Sequence, residues 1–233
     1  MKIENFKKSL IAATVTTALM AIPLTASASL FAISVTGTGD FAGVNYLSPS
    51  FANPANGQKF TGVLTGSGTT QFTYDVSVNN SPGGNPQASF LDSQWGAFDT
   101  GGSGGTITIT ASATGYTSPI SGTLASLFSS IGGTNTNSSV SSESWVNNSN
   151  TLGGMGSINI SQGPFSSSSF ADDASVAFTA ANPYSITQQI VITLGAGGRT
   201  TGDFNSTVPE PGSLALIGLG LLAAGIMRRR QTK

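Results

Sequence analysis

The sequence predicts an all-β domain, a single β-sandwich or jelly roll, on three observations. Phe72, Tyr74, Val76 and Val78 alternate with polar or small residues across Gln71 to Val78. The same period of two recurs at Ile107, Ile109 and Ala111, at Val176 and Phe178, and at Ile186, Ile190, Ile192 and Leu194. Alternation of β-branched and aromatic residues marks half-buried strands. Between these runs stand NNSPGGNP (Asn79–Pro86), GGSGG (Gly101–Gly105) and the segment Gly132–Ser139, all of them turn chemistry. Many short strands joined by polar turns favour a sandwich over helical layers.

Further strands are expected at Phe31–Thr36, Phe60–Thr65, Glu143–Val146 and Gly156–Ile160. Leu124, Leu127, Phe128 and Ile131 instead keep i, i+3, i+4, i+7 spacing, which predicts a short helix at the sheet edge. Gly195–Thr207 (GAGGRTTGDFNST) is Gly-rich and without alternation, so it reads as a flexible linker. No repeat of fixed period indicates a solenoid.

The two ends of the chain are handling signals. Lys2, Lys7 and Lys8 precede an uncharged, largely apolar stretch, Leu10–Leu24, and Ala26-Ser27-Ala28 is the small-x-small pattern of a signal-peptide cleavage site. Cleavage is expected after Ala28, on the general secretory route. At the other end, residues 212–227 are all Gly, Ser, Ala, Leu, Ile or Met. As a helix they span roughly 24 Å at 1.5 Å per residue, near the lower limit for crossing a bilayer. The run has no polar face, which a surface helix needs. Arg228, Arg229 and Arg230 at its end orient the C-terminus to the cytoplasm. The expected division is therefore a signal peptide at 1–28, the β-domain at 29–194, the linker at 195–207 and a membrane tail at 208–233.

Pro209-Glu210-Pro211, the short apolar helix and the Arg cluster, in that order at the chain end, resemble the PEP-CTERM sorting signal of Gram-negative, exopolysaccharide-producing bacteria. The resemblance implies an inner-membrane intermediate recognised by an exosortase, a membrane-embedded thiol transpeptidase. It also implies cleavage at or near Pro209-Glu210-Pro211 and a product left at the cell surface or in the extracellular matrix. It covers Val208 to Arg230 and implies nothing about the domain ahead of it.

Residues 29–208 hold only Lys59 and Arg199 as bases, against Asp40, Asp75, Asp92, Asp99, Glu143, Asp172, Asp173 and Asp203, a net charge of −6. So few bases exclude phosphate-driven nucleic-acid binding. With no Cys, stability outside the cell rests on packing, hydrogen bonds or bound ions. With no His either, Ser-His-Asp and Cys-His nucleophilic sites are excluded, and no catalysis is expected. Asp172-Asp173 is the one adjacent acidic pair and the only calcium candidate, but no D-x-D-x-D spacing accompanies it, so a solvated turn is preferred and no cofactor is expected. Trp95 and Trp145 are the only tryptophans. Exposed beside Asn, Gln and Asp they would form a sugar-stacking platform; buried, they are core. Two functions follow as expectations: a structural or adhesive component of an exopolysaccharide matrix, or a carbohydrate-binding module, in one version assisted by calcium.

Overall fold

The computed structural model describes residues 30–48, 50–52, 58–65, 71–79, 89–99, 102–117, 119 and 121–209. The expected signal peptide and the apolar run 212–227 lie outside them. The described residues form eleven strands and no helix: β1 (Leu30–Gly39), β2 (Asn45–Leu47), β3 (Phe51–Ala52), β4 (Gln58–Thr65), β5 (Gln71–Asn79), β6 (Ser89–Phe98), β7 (Gly105–Tyr116), β8 (Leu124–Asn147), β9 (Ile158–Phe165), β10 (Ser169–Thr179) and β11 (Tyr184–Val208). All belong to one antiparallel sheet with open edges. Its main path runs β2-β1-β7-β11-β6-β5-β4, and β8 lies along β11 and pairs with β9 and β10. The all-β class stands, with the strands in one continuous ladder.

The ladder is organised by its two longest strands. β11 has 25 residues and β8 has 24. Extended at ~3.3 Å per residue each would reach about 80 Å, far more than a chain of this size spans. Both bend instead. In β8 the bend is at Asn137, with φ 46°; in β11 it is the segment Gly195–Gly198, where the register to β8 slips between Leu194 and Arg199. Across Asn137 the buried positions of β8 change parity, from Ala125, Leu127, Ser129 and Ile131 to Val140, Ser142, Ser144 and Val146. A one-residue irregularity exchanges the faces of a strand, so the same side of the fold stays inward after the turn.

The bent halves close on each other. Gln188 Nε2 donates to the carbonyl of Phe204 at 3.2 Å and to Ser206 Oγ at 2.9 Å, later on the same strand. Ser144 Oγ donates to Ser129 Oγ at 3.2 Å within β8. The first half of β11 pairs with β7, the second half with β6. Doubling therefore stacks β1, β7 and β9 over β6 and β10. Phe31, Ile33, Ile107, Ile109, Ile186 and Ile190 meet Leu91, Trp95, Leu127, Ile131 and Phe204 in one core.

Two expectations are corrected here. The stretch holding Leu124, Leu127, Phe128 and Ile131 is strand, not helix: Ala125, Leu127, Ser129 and Ile131 face inward, and Leu124 and Phe128 are 71 % and 47 % exposed. Paired neighbours on both sides satisfy its backbone, and the inward serine hides the period of two. Gly195–Thr207 is not a linker but the bend and second half of β11, with Phe204 fully buried. Its glycines serve the bend. A Cβ at Gly198 would stand 2.5 Å from the Asn137 carbonyl oxygen, and Gly197 has φ +67°. Buried Asp99 fastens the turn by accepting from the amides of Gly197 (3.3 Å) and Gly102 (3.2 Å). Pro209-Glu210-Pro211 thus follows directly on a paired strand in the sequence, since Val208 is the last residue of β11 and is opposite Ser89.

Candidate functional site

Alternation puts the polar residues of the upper strands on one outward face. The register aligns Ser34, Thr110, Gln189, Glu143 and Ser161 in a single row across β1, β7, β11, β8 and β9. The adjacent row carries Thr36, Thr108, Val191 and Ser141, and the next Thr38, Thr106, Thr193 and Ser139. Within these rows Gln189 Nε2 donates to Thr110 Oγ1 at 3.3 Å, and the hydroxyls of Thr106 and Thr193 lie 3.4 Å apart. Rows recur every ~6.7 Å along a strand and columns every ~4.8 Å between strands, so the face is a lattice of hydroxyl and amide groups.

Toward β9 the face opens into a cleft of about 200 Å³ lined by Ser141, Glu143, Ser161 and Gln189, with Ser142 and Gln162 behind them. A bulge makes it. The β8–β9 register slips between Val140 and Ser142, at Gly163, which has φ +91° and would place a Cβ 2.7 Å from the Val140 carbonyl oxygen. Ser161 Oγ donates to Glu143 Oε1 at 3.0 Å and steadies the carboxylate. From the inner side Gln162 Nε2 donates to Asp172 Oδ2 at 3.2 Å. Ser142 and Gln162 are 2 % and 4 % exposed, and Ser142 Oγ and Gln162 Oε1 make no hydrogen bond within the chain. Both residues alternate with the outward Glu143 and Ser161, so these side chains project to the inner side of the sheet and not into the cleft mouth. One carboxylate among hydroxyls and amides can accept hydrogen bonds from polar groups.

Trp95 and Trp145 are both buried, 5 % and 6 % exposed, and form no exposed platform, but only Trp95 belongs to the core cluster. Trp95 sits on the inward face of β6, opposite Gly202, where a Cβ would come within 2.4 Å of its ring. Phe170 lies likewise against Gly133 and stacks on Phe165 at 5.0 Å. Trp145 shares a rung with Thr187 and Asn159, at the end of the outward face where the loop 148–157 is pinned. The pins are Gly153 N to Ser112 Oγ (2.8 Å) and Ser185 Oγ to the Thr151 carbonyl (3.0 Å).

Asp172 and Asp173 are not in a turn. They are consecutive on β10, opposite Ile131 and Ser130, so their side chains leave opposite faces and do not converge on one cation. Among the described residues no three acidic side chains gather as a metal site. Pro209 closes β11, whereas Glu210, Pro211, Arg228, Arg229, Arg230, Ala26 and Ala28 lie outside the described residues. The Glu143 cleft was not apparent in the sequence. Its one signal is that Glu143 is the sole charged residue between Asp99 and Asp172.

No curated protein sequence matches the chain. Among solved structures, one similar in part is TmCBM61 in complex with beta-1,4-galactotriose, at 8 % identity and TM-score 0.30, covering 58 % of this chain and 82 % of that one. Another is the enzymatically active domain of bacteriophage CBA120 tailspike protein 4, at 10 % identity and TM-score 0.28, covering 63 % of this chain and 18 % of that one. A third is the infectious bursal disease virus Gx strain structure, at 12 % identity and TM-score 0.30, covering 82 % and 58 %. No functional inference follows from similarities of this size. The informative match is at the chain end, where residues 207–231 fit a family model, and this chain accordingly carries a PEP-CTERM protein-sorting motif.

Proposed function

We propose that the chain is an exported surface protein of a Gram-negative bacterium, processed by an exosortase and retained in the exopolysaccharide matrix as a structural or adhesive component. The sorting motif at 207–231 is the observation that carries this reading. The signal peptide 1–28 delivers the chain by the general secretory route, the helix 212–227 holds it in the inner membrane, and processing releases it. The doubled sheet serves as a non-catalytic, sandwich-type scaffold. Its hydroxyl and amide lattice, near-absence of basic side chains and net charge of −6 suit a hydrated polysaccharide environment. The test is fractionation of cells producing the wild-type chain or Glu210→Ala. The wild type partitions into the matrix and the variant stays with membranes; equal partitioning would remove the sorting step.

A second reading, a carbohydrate-binding module, is favoured by one feature, the Glu143 carboxylate held by Ser161 Oγ among the hydroxyl and amide groups of the outward cleft. Such a site would engage sugar hydroxyls through hydrogen bonds without aromatic stacking. Affinity electrophoresis in gels containing the producing strain's own polysaccharide tests it: retardation that falls with Glu143→Ala supports a module, and retardation unchanged by that substitution rejects this cleft.

A further inference from the structure

The bends gather both ends of β8 and of β11 at one end of the fold. Tyr184 and Val208 begin and finish β11 there, and Leu124 and Asn147 begin and finish β8. β1 also starts there, with Leu30 opposite Thr114. The loops at this end are knit together by Asn148 Nδ2 to the Thr179 carbonyl (3.1 Å), Gly122 N to the Ala180 carbonyl (2.7 Å) and Asn182 Nδ2 to the Pro119 carbonyl (2.8 Å). Segments 117–123, 148–157 and 180–183 contain no Asp, Glu, Lys or Arg. By register, Lys59 and Asp92 share the rung of Asn205 and Asp173 is opposite Ser130, all set back from the loops, and Glu210 follows Val208 by two residues in the tail. Asp40, Asp99 and Arg199 are at the opposite end, beside the bend.

This uncharged end also carries exposed apolar side chains. Leu124 is 71 % exposed, Phe128 47 % and Met155 56 %. Leu124 and Phe128 share the outward face of β8, and Phe128 is opposite Thr207. β8 runs antiparallel to β11, so it continues in the direction in which the tail leaves. At ~3.3 Å per residue Leu124 lies about 13 Å beyond Phe128. Only Pro209-Glu210-Pro211 separates β11 from the apolar run 212–227, a tether of about 10 Å at full extension. A domain held on so short a tether cannot withdraw this end from the surface that the tail enters.

We propose that this end of the domain, with Leu124 and Phe128 at its tip, rests in the lipid interface while the tail is anchored. The proposal rests on the membrane-tail reading above. Apolar side chains among uncharged polar loops suit that depth, and the absence of Asp and Glu in the loops leaves Glu210 of the tether as the one acidic residue between them and the apolar run. Docking holds the sorting motif at membrane level, and cleavage of the tail leaves the domain attached only by these few side chains, a contact too small for stable anchoring.

The test uses the full chain reconstituted through its tail into phosphatidylethanolamine/phosphatidylglycerol vesicles. The chain has no cysteine, so Leu124→Cys, Phe128→Cys and Leu47→Cys, all at exposed positions, each accept one environment-sensitive fluorophore. Leu47 is 73 % exposed on β2, opposite Ser34, and serves as the reference. Expected are blue-shifted emission and quenching by nitroxide-labelled lipid at 124 and 128, with neither at 47. If the chain floats with the vesicles but probes 124 and 128 behave like probe 47, the docking proposal is overturned and the patch is left to a protein such as the processing enzyme. If the chain does not float at all, the anchor reading fails and the proposal with it.

Discussion

Gln188 Nε2 donates a 3.2 Å hydrogen bond to the carbonyl of Phe204, sixteen residues later on the same strand. The bond joins the two halves of β11 across the interior. The two Nε2 hydrogens of Gln188 are shared among the Phe204 carbonyl, the Leu91 carbonyl and Ser206 Oγ, the latter two at 2.9 Å, and Gln188 Oε1 accepts from Ser93 Oγ at 2.8 Å. A fully satisfied amide in the buried core specifies how the halves stack, because any other stacking leaves polar atoms unpaired.

Replacing Gln188 with Leu leaves Ser93, Ser206 and two carbonyls without their partner. Each buried unsatisfied group costs about 1–3 kcal/mol, so Gln188→Leu is expected to lower unfolding free energy by about 3 kcal/mol or more in urea titration, and Ser93→Ala by about 1 kcal/mol.

Gly202 lies beneath Trp95, where an added Cβ meets the ring at 2.4 Å and the Gly132 carbonyl oxygen at 2.5 Å. Gly202→Ala should cost about 1–3 kcal/mol through overpacking and shift the Trp emission. Gly197→Asn, with φ +67° and nothing within 4 Å of its Cβ, should cost a few tenths to about 1 kcal/mol.

Burial, with Tyr184 as the lesser cause, raises the Tyr116 hydroxyl well above the ordinary phenol range. The folded state therefore holds this proton more tightly than the unfolded chain. The associated stability is complete below the unfolded pKa of about 10 and declines as pH rises above it, by up to about 1.4 kcal/mol per pH unit. Melting temperature should fall between pH 9 and 12, and Tyr116→Phe should make the fall shallower. An equal slope in the variant would assign the alkaline transition to other groups.

Trp95→Ala opens a cavity in the core, whereas Glu143→Ala alters only a partly exposed cleft. The first should destabilise by about 3–5 kcal/mol, and the second should leave stability within about 0.5 kcal/mol. Loss of polysaccharide retardation in a folded Trp95 variant would contradict the buried placement.

The strands with apolar alternation were legible: Phe72–Val78 lies in β5, Ile107–Ala111 in β7 and Ile186–Leu194 in β11. What misled was the use of small polar residues inside. Ser93, Ser129, Ser144, Ser206 and Gln188 occupy inward positions, so the period of two vanishes from hydrophobicity alone in β8, and the remaining Leu and Phe positions imitate a helix. Gly195–Gly198 has the composition of a linker because a sharp bend and a flexible tether use the same residue. Asp99, distant in sequence, is what makes it a bend. The Glu143 cleft depends on a register slip at Gly163 that no local pattern announces.

Intact mass with terminal peptide mapping of the native protein, from cells and from the surrounding matrix, tests the central claim most directly. The account predicts a matrix product that begins near Ser29 and ends at or near Pro209-Glu210-Pro211. A matrix product that retains Arg228 to Lys233 would contradict it.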